Sequence, residues 1–172
     1  MIVVSTSTPL IGLASIGRFE LLQQLFGEIQ IATAVYAETV TMGREEGGAK
    51  RQVSAATWIK TMAVQDRLAV EVLLDELDMG EAETIVLAHE VKADWVLMDE
   101  KKGRRKLSQL GIEKIGTLGI LLKAKQAGLL TQIRPDVERL RKQGFSISTL
   151  MINSILAAAG ESTENNPSNP RS

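Results

Sequence analysis

The chain has 172 residues, 44% hydrophobic and 24% charged, a balance that excludes a disordered polypeptide and supplies one sizeable core. Its formal net charge of -1 sets up no global basic field towards nucleic acid, and the absence of cysteine excludes disulfides, thiolate metal sites and cysteine nucleophiles. The opening segment MIVVSTSTPLIGLASIG carries no basic n-region and is broken early by polar residues, so it reads as neither signal peptide nor membrane span. A soluble cytoplasmic protein is the expectation.

Ile2–Val4 is a β-branched run that predicts a short, doubly buried strand. The hydroxyl-rich Ser5–Thr8 turn and Pro9 then open a helical segment from Leu10 to Phe26, which Gly17 divides into two helices. Ile29–Ile31 predicts a second strand and Ala34–Val40 a short helix, followed by an exposed connection over Met42–Lys50. An edge strand is expected within Trp58–Val64, then helices over Leu68–Leu77 and Glu81–Val91 separated by Gly80. Trp95–Met98 is a further apolar strand, leading through Asp99 and Glu100 into a basic helix that ends near Leu110. Ile112–Ile115 is β-like, and Leu118–Ala127, Pro135–Gln143 and Ser148–Ala159 are helical. The polar segment from Glu161 to the end, rich in Asn and Pro, is expected to be a disordered tail, giving one domain over 1–160 and a tail over 161–172.

Short strands alternating with amphipathic helices imply an α/β fold: a short, mostly parallel sheet flanked by helices in three layers, with a helical C-terminal part. Such sheets hold ligands beyond the carboxyl ends of their strands. The turn after the first strand (Ser5–Thr8) and the turn after Met98 (Asp99, Glu100) both fall there.

Five motifs in order, VVSTSTPLIGL, AVYAETV, GEAETIVLA, DWVLMDEKKGRR and GTLGILLKAKQAG, with GFSIS continuing towards the C-terminus, resemble a prokaryotic branch of the PIN-domain family related to toxin ribonucleases of toxin–antitoxin modules. The resemblance implies a nuclease fold whose acids hold Mg²⁺ or Mn²⁺, and a metal-activated water that attacks an RNA phosphodiester. By position the family's acids fall on Thr6, Glu38, Glu83 and Asp99, so Glu38, Glu83 and Asp99 are the expected metal ligands. Thr8 is expected to line the site and orient a carboxylate or water. RNA, an antitoxin protein and a second copy of the chain in a homodimer are the partners the resemblance implies, with no membrane.

Thr6 departs from the pattern, since a neutral hydroxyl stands where the first strand should deliver an aspartate. A rival reading follows: a catalytically impaired PIN-like module that acts by binding RNA or protein. Lys101, Lys102, Arg104 and Arg105 are candidate phosphate contacts, with a solvated helix face as their simpler explanation. With aromatics at 3%, base stacking is not expected to dominate recognition. Glu81 reads as a helix-start acid, Glu100 as an outward-pointing neighbour of Asp99, His89 as a packed or surface residue, and Thr117 as a helix cap. Leu150, Met151, Ile155 and Leu156 suit either an assembly interface or the core.

Overall fold

The computed structural model describes residues 1–45 and 48–161. Five short strands, β1 (Val3–Ser5), β2 (Ile29–Ala32), β3 (Ile59–Met62), β4 (Trp95–Leu97) and β5 (Glu113–Ile115), form one sheet in the order β3-β2-β1-β4-β5. Every pairing is parallel, with Val4 beside Gln30 on one side and Val96 on the other. A parallel sheet must be covered on both faces, which explains why β1 is apolar except at its end and buried throughout.

The helices gather into two packed groups that flank the sheet. One contains α1 (Ser7–Ser15), α2 (Glu20–Phe26), α8 (Thr117–Gln126), α9 (Arg134–Lys142) and α10 (Thr149–Ala158). The other contains α3 (Thr33–Tyr36), α5 (Arg67–Leu73), α6 (Met79–Glu90) and α7 (Lys101–Gln109). Gly17, at φ 73°, supplies the left-handed turn that separates α1 from α2, as its place in the sequence predicts. α3 continues directly into a wide π-helical turn, Ala37–Thr41, which carries Glu38.

Some expectations shift. A further short helix, α4 (Lys50–Ala55), follows the exposed connection, of which residues 46 and 47 lie outside the described residues. Gly80 does not separate two helices but sits inside the first turn of α6, whose N-cap is Asp78. Asp78 and Glu81 form a reciprocal capping box: Asp78 accepts from Glu81 N–H at 2.8 Å, and Glu81 accepts from Asp78 N–H at 3.2 Å. On α10 Leu156 is buried in the core while Leu150 and Met151 are exposed, so one face packs inward and the other does not. No helix among the described residues is long and apolar enough to cross a membrane.

Glu161, expected to begin the tail, is instead held against the domain; residues 162–172 lie outside the described residues. Its carboxylate accepts from Ile133 N–H at 2.8 Å, Arg134 N–H at 3.0 Å and Lys125 Nζ at 3.1 Å, so it caps the start of α9 from 27 residues away. Burial pushes its pKa up, but these three hydrogen bonds and the Lys125 charge outweigh it and hold the carboxyl below its ordinary 4.5. A depressed carboxylate stabilises the fold above its unfolded pKa, and the gain is lost as pH falls through the folded value. Glu161→Gln is therefore expected to lower the melting temperature at pH 7 by roughly 2–4 °C, the effect of losing a helix cap of about 1 kcal/mol. Scanning calorimetry should show that difference shrinking below pH 4.5; a difference constant down to pH 2 would refute the assignment.

Candidate functional site

At the carboxyl ends of β1 and β4 a small crevice of about 30 Å³ is lined by Thr6, Ser7, Thr8, Glu38, Asp78, Glu81, Met98, Asp99 and Glu100. The topology assembles it. β1 delivers the Thr6–Thr8 turn, β4 delivers Asp99, the π-helical turn carries Glu38, and α6 brings Asp78 and Glu81 at its N-terminus.

Asp99 is held most firmly. Thr117 donates its backbone N–H to Oδ1 at 2.8 Å and its hydroxyl to Oδ2 at 2.7 Å, so the carboxylate after β4 caps the start of α8 at the end of the neighbouring strand β5. The close approach depends on Gly116, where a Cβ would come within 2.8 Å of Oδ1. Thr117 is thus not itself the cap; it is the group being capped. Burial raises the Asp99 pKa, opposed by both Thr117 bonds and by the Arg104 charge. Arg104, expected to reach towards phosphate, instead folds back and donates Nη1 to the Met98 carbonyl at 2.9 Å. Lys101, Lys102 and Arg105 remain exposed on α7, whereas Lys106 pairs with Glu76 at 3.2 Å.

Glu38 is half-buried and accepts from the Ser7 hydroxyl and from the Gly80 N–H. A side chain at Gly80 would collide with its carboxylate, which explains a glycine within a helix at that point. Burial is the largest cause of its raised pKa, with the charges of Asp78 and Glu83 adding to it. Glu81 is raised in the same way, by burial first and then by Asp78, Glu100 and Glu38. These carboxylates repel one another across the crevice.

Glu83 does not line the crevice. It is buried along α6, where it accepts from Ala34 N–H at 2.9 Å and from Arg67 Nη1 at 2.7 Å. Its work is to cap α3 and to pair with Arg67, and Glu81 occupies the crevice in its place. Thr6 lines the crevice but is buried, with both its donors taken up: its N–H, at 3.0 Å, and its hydroxyl, at 2.9 Å, donate to the Leu97 carbonyl. Thr8 is exposed at the rim, and His89 is exposed on α6.

Residue type suits a hard divalent cation, because the donors are carboxylate and hydroxyl oxygens. The arrangement does not. Among the described residues no three Asp, Glu or His side chains stand together as a metal site would require. Of the set Glu38, Glu83 and Asp99, Glu83 is taken up by its Arg67 pair and lies outside the crevice, while each Asp99 oxygen accepts one hydrogen bond from Thr117 and keeps a further lone pair.

A five-stranded parallel sheet with an acid-lined crevice at its carboxyl edge is the setting in which the family comparison is decisive. A model described as a PIN domain matches residues 2–161. The chain belongs to the PIN-domain family. PIN domains have a nuclease-type fold, are generally nucleases, and generally use divalent metals on nucleic acid. No curated protein matches the chain. Within this PIN domain the sequence motifs gain physical roles: Gly80 makes room for Glu38, and the Gly116-Thr117 pair holds Asp99. Glu100, expected to point outward, lines the crevice and caps α7, while Asp78 is a crevice acid that sequence reasoning missed, although the Asp78–Glu81 spacing of a capping box points to it.

Replacing Asp99 by asparagine tests the balance between its burial and its capping bonds. The neutral amide keeps an acceptor for Thr117 N–H and removes a buried charge, so Asp99→Asn should be at least as stable as the native protein at neutral pH. Because the folded pKa is raised, the native carboxylate becomes destabilising as pH rises from its ordinary 3.8 through the folded value. The advantage of the variant should appear across that window and then level off in calorimetric scans. A variant that melts several degrees lower at pH 7 would contradict this balance.

Proposed function

We propose that this PIN-domain protein binds RNA across its acid-lined crevice with a hydrolytic centre that is incomplete at Thr6. The observation that carries this reading is the Thr6 hydroxyl, which is spent on the Leu97 carbonyl at 2.9 Å and presents no charge to the crevice. Exposed Lys101, Lys102 and Arg105 on α7, beside Asp99, offer phosphate contacts at the flank of the crevice. The carboxylates themselves repel a polyanion, so tight approach of a phosphodiester needs their charge to be neutralised.

A second reading, a Mg²⁺- or Mn²⁺-dependent ribonuclease of toxin type, is favoured by the mutual repulsion of Glu38, Asp78 and Glu81, which a divalent cation relieves. An antitoxin partner and a homodimer belong to that reading. An apolar groove of about 470 Å³ between α5, α6 and α7, edged by exposed Leu68, Val72 and Leu110, is available to a protein partner.

The Thr6→Asp variant separates the two. A carboxylate cannot donate to the Leu97 carbonyl, so it turns towards the crevice and adds its charge to those of Glu38, Asp78, Glu81, Asp99 and Glu100. The impaired-centre reading predicts weak or no Mn²⁺ binding by titration calorimetry in the native protein. It also predicts clear binding together with Mn²⁺-dependent cleavage of single-stranded RNA in Thr6→Asp. Native cleavage that is Mn²⁺-dependent and abolished by Asp99→Asn would overturn it in favour of the ribonuclease reading. Failure of both native and variant to bind RNA at low salt would sink both.

A further inference from the structure

A hollow of about 420 Å³ opens beside the acidic crevice, and Glu38 lines both. Its volume lies within the range of about 300–1,000 Å³ found for pockets that take small ligands. Three separated parts of the chain build it: α1, the π-helical turn with the segment that follows it, and the connection from α9 to α10. The last of these is the GFSIS motif, for which the crevice has no use.

Gly144 follows α9 at φ 92°, a conformation that side-chain-bearing residues avoid, and it reverses the chain so that Phe145 N–H reaches the Leu140 carbonyl at 3.0 Å. The Phe145 ring then lies on α1 at Gly12, where a Cβ would stand 2.8 Å from its Cε2. Two glycines therefore place one half-buried aromatic ring in the wall of the hollow. Met42, Arg44 and Gln143 line the same space. An aromatic ring, a polarisable thioether, a planar guanidinium and an amide that both donates and accepts suit a flat ring with polar edges.

We propose that this hollow is a nucleobase subsite, taking one unstacked base of an RNA strand whose backbone lies along the adjoining crevice. The proposal rests on the RNA-binding reading and adds to it where, and by which part, the strand is gripped. Phe145 supplies the stacking surface, Gln143 and Arg44 meet the polar edge of the base, and Glu38 marks the shared border with the crevice.

The test compares fluorescence anisotropy of labelled hexaadenylate with that of a ribose-phosphate hexamer lacking bases, at one fixed salt concentration. Native protein is set beside Phe145→Leu, which keeps the apolar contact with Gly12 but removes the aromatic face, and Gln143→Ala, an exposed position. Melting curves verify that each is folded. Lys102→Ala serves as a phosphate control and should weaken both oligomers alike. The expected result is tighter native binding of hexaadenylate than of the abasic hexamer. Phe145→Leu should weaken hexaadenylate about five- to tenfold, and Gln143→Ala less, with no change for the abasic hexamer. Hexaadenylate binding unchanged in both variants overturns the subsite while leaving RNA binding intact. Equal loss for both oligomers also overturns it, because a base contact cannot affect an oligomer without bases. Absence of native binding to either oligomer removes the RNA reading and the subsite with it.

Discussion

The all-parallel sheet imposes the constraint on which the site depends. In such a sheet each helix that follows a strand begins at the carboxyl edge, and here α6, which leads back to β4, begins there too. α1, α3, α5, α6, α7 and α8 all start at that edge, each with backbone N–H groups that its own turns cannot satisfy. Carboxylates meet much of this demand. Asp66, Asp78 and Glu100 accept locally at the starts of α5, α6 and α7, while Glu83, from within α6, serves α3, and Asp99, from the neighbouring strand end, serves α8. Acids therefore collect at one edge for reasons of helix stability, before any chemistry is asked of them.

That origin sharpens what distinguishes a functional acid in this fold. Position at the sheet edge is not enough, because Glu83 has the position and spends its oxygens on Ala34 and Arg67. What matters is spare acceptor capacity directed into the crevice together with a charge that its neighbours oppose. Glu38 and Glu81 meet that condition better than Glu83, and their pKa values are raised by burial first and by the neighbouring carboxylates second. α1 is the contrast: Thr6 precedes it without a side-chain cap, and its first turn holds no acid. The edge is acid-rich around the one helix start where the family pattern would place its first aspartate.

Much of the fold was legible in the chain. Short β-branched runs bounded by turn residues gave the strands, and Gly17 at the break between α1 and α2 behaved as its conformational freedom requires. Strand order was not legible, since neighbours such as β1 and β4 are brought together by about ninety residues of intervening chain that no local pattern encodes. The candidate site was partly legible. Thr6, Thr8, Glu38 and Asp99 do converge, while Glu81 stands where Glu83 was expected. Positions 81 and 83 share one helix but lie roughly 200° apart around it, so only one of them can face the crevice, and a motif match carries no such angle. The partners of Arg104 and Glu161 were not legible for a common reason: long side chains in polar surroundings read as solvated, and only the fold shows the Met98 carbonyl or the α9 start within their reach.

The π-helical turn at Ala37–Thr41 has a geometric consequence for the way the crevice and the neighbouring hollow relate. Glu38 sits inside the turn, and Met42 and Arg44 leave from its end, so the widened loop fixes the angular phase between them. An α-helix advances by about 100° per residue, and a turn that closes one residue later carries that increment as an insertion. Removing a single residue between Glu38 and Met42 would restore ordinary pitch and swing the following chain by about 100° away from the wall it now forms. The widened turn acts as the spacer that keeps acid and hollow in register, and the length of this segment is as much a part of the site as the identity of its side chains.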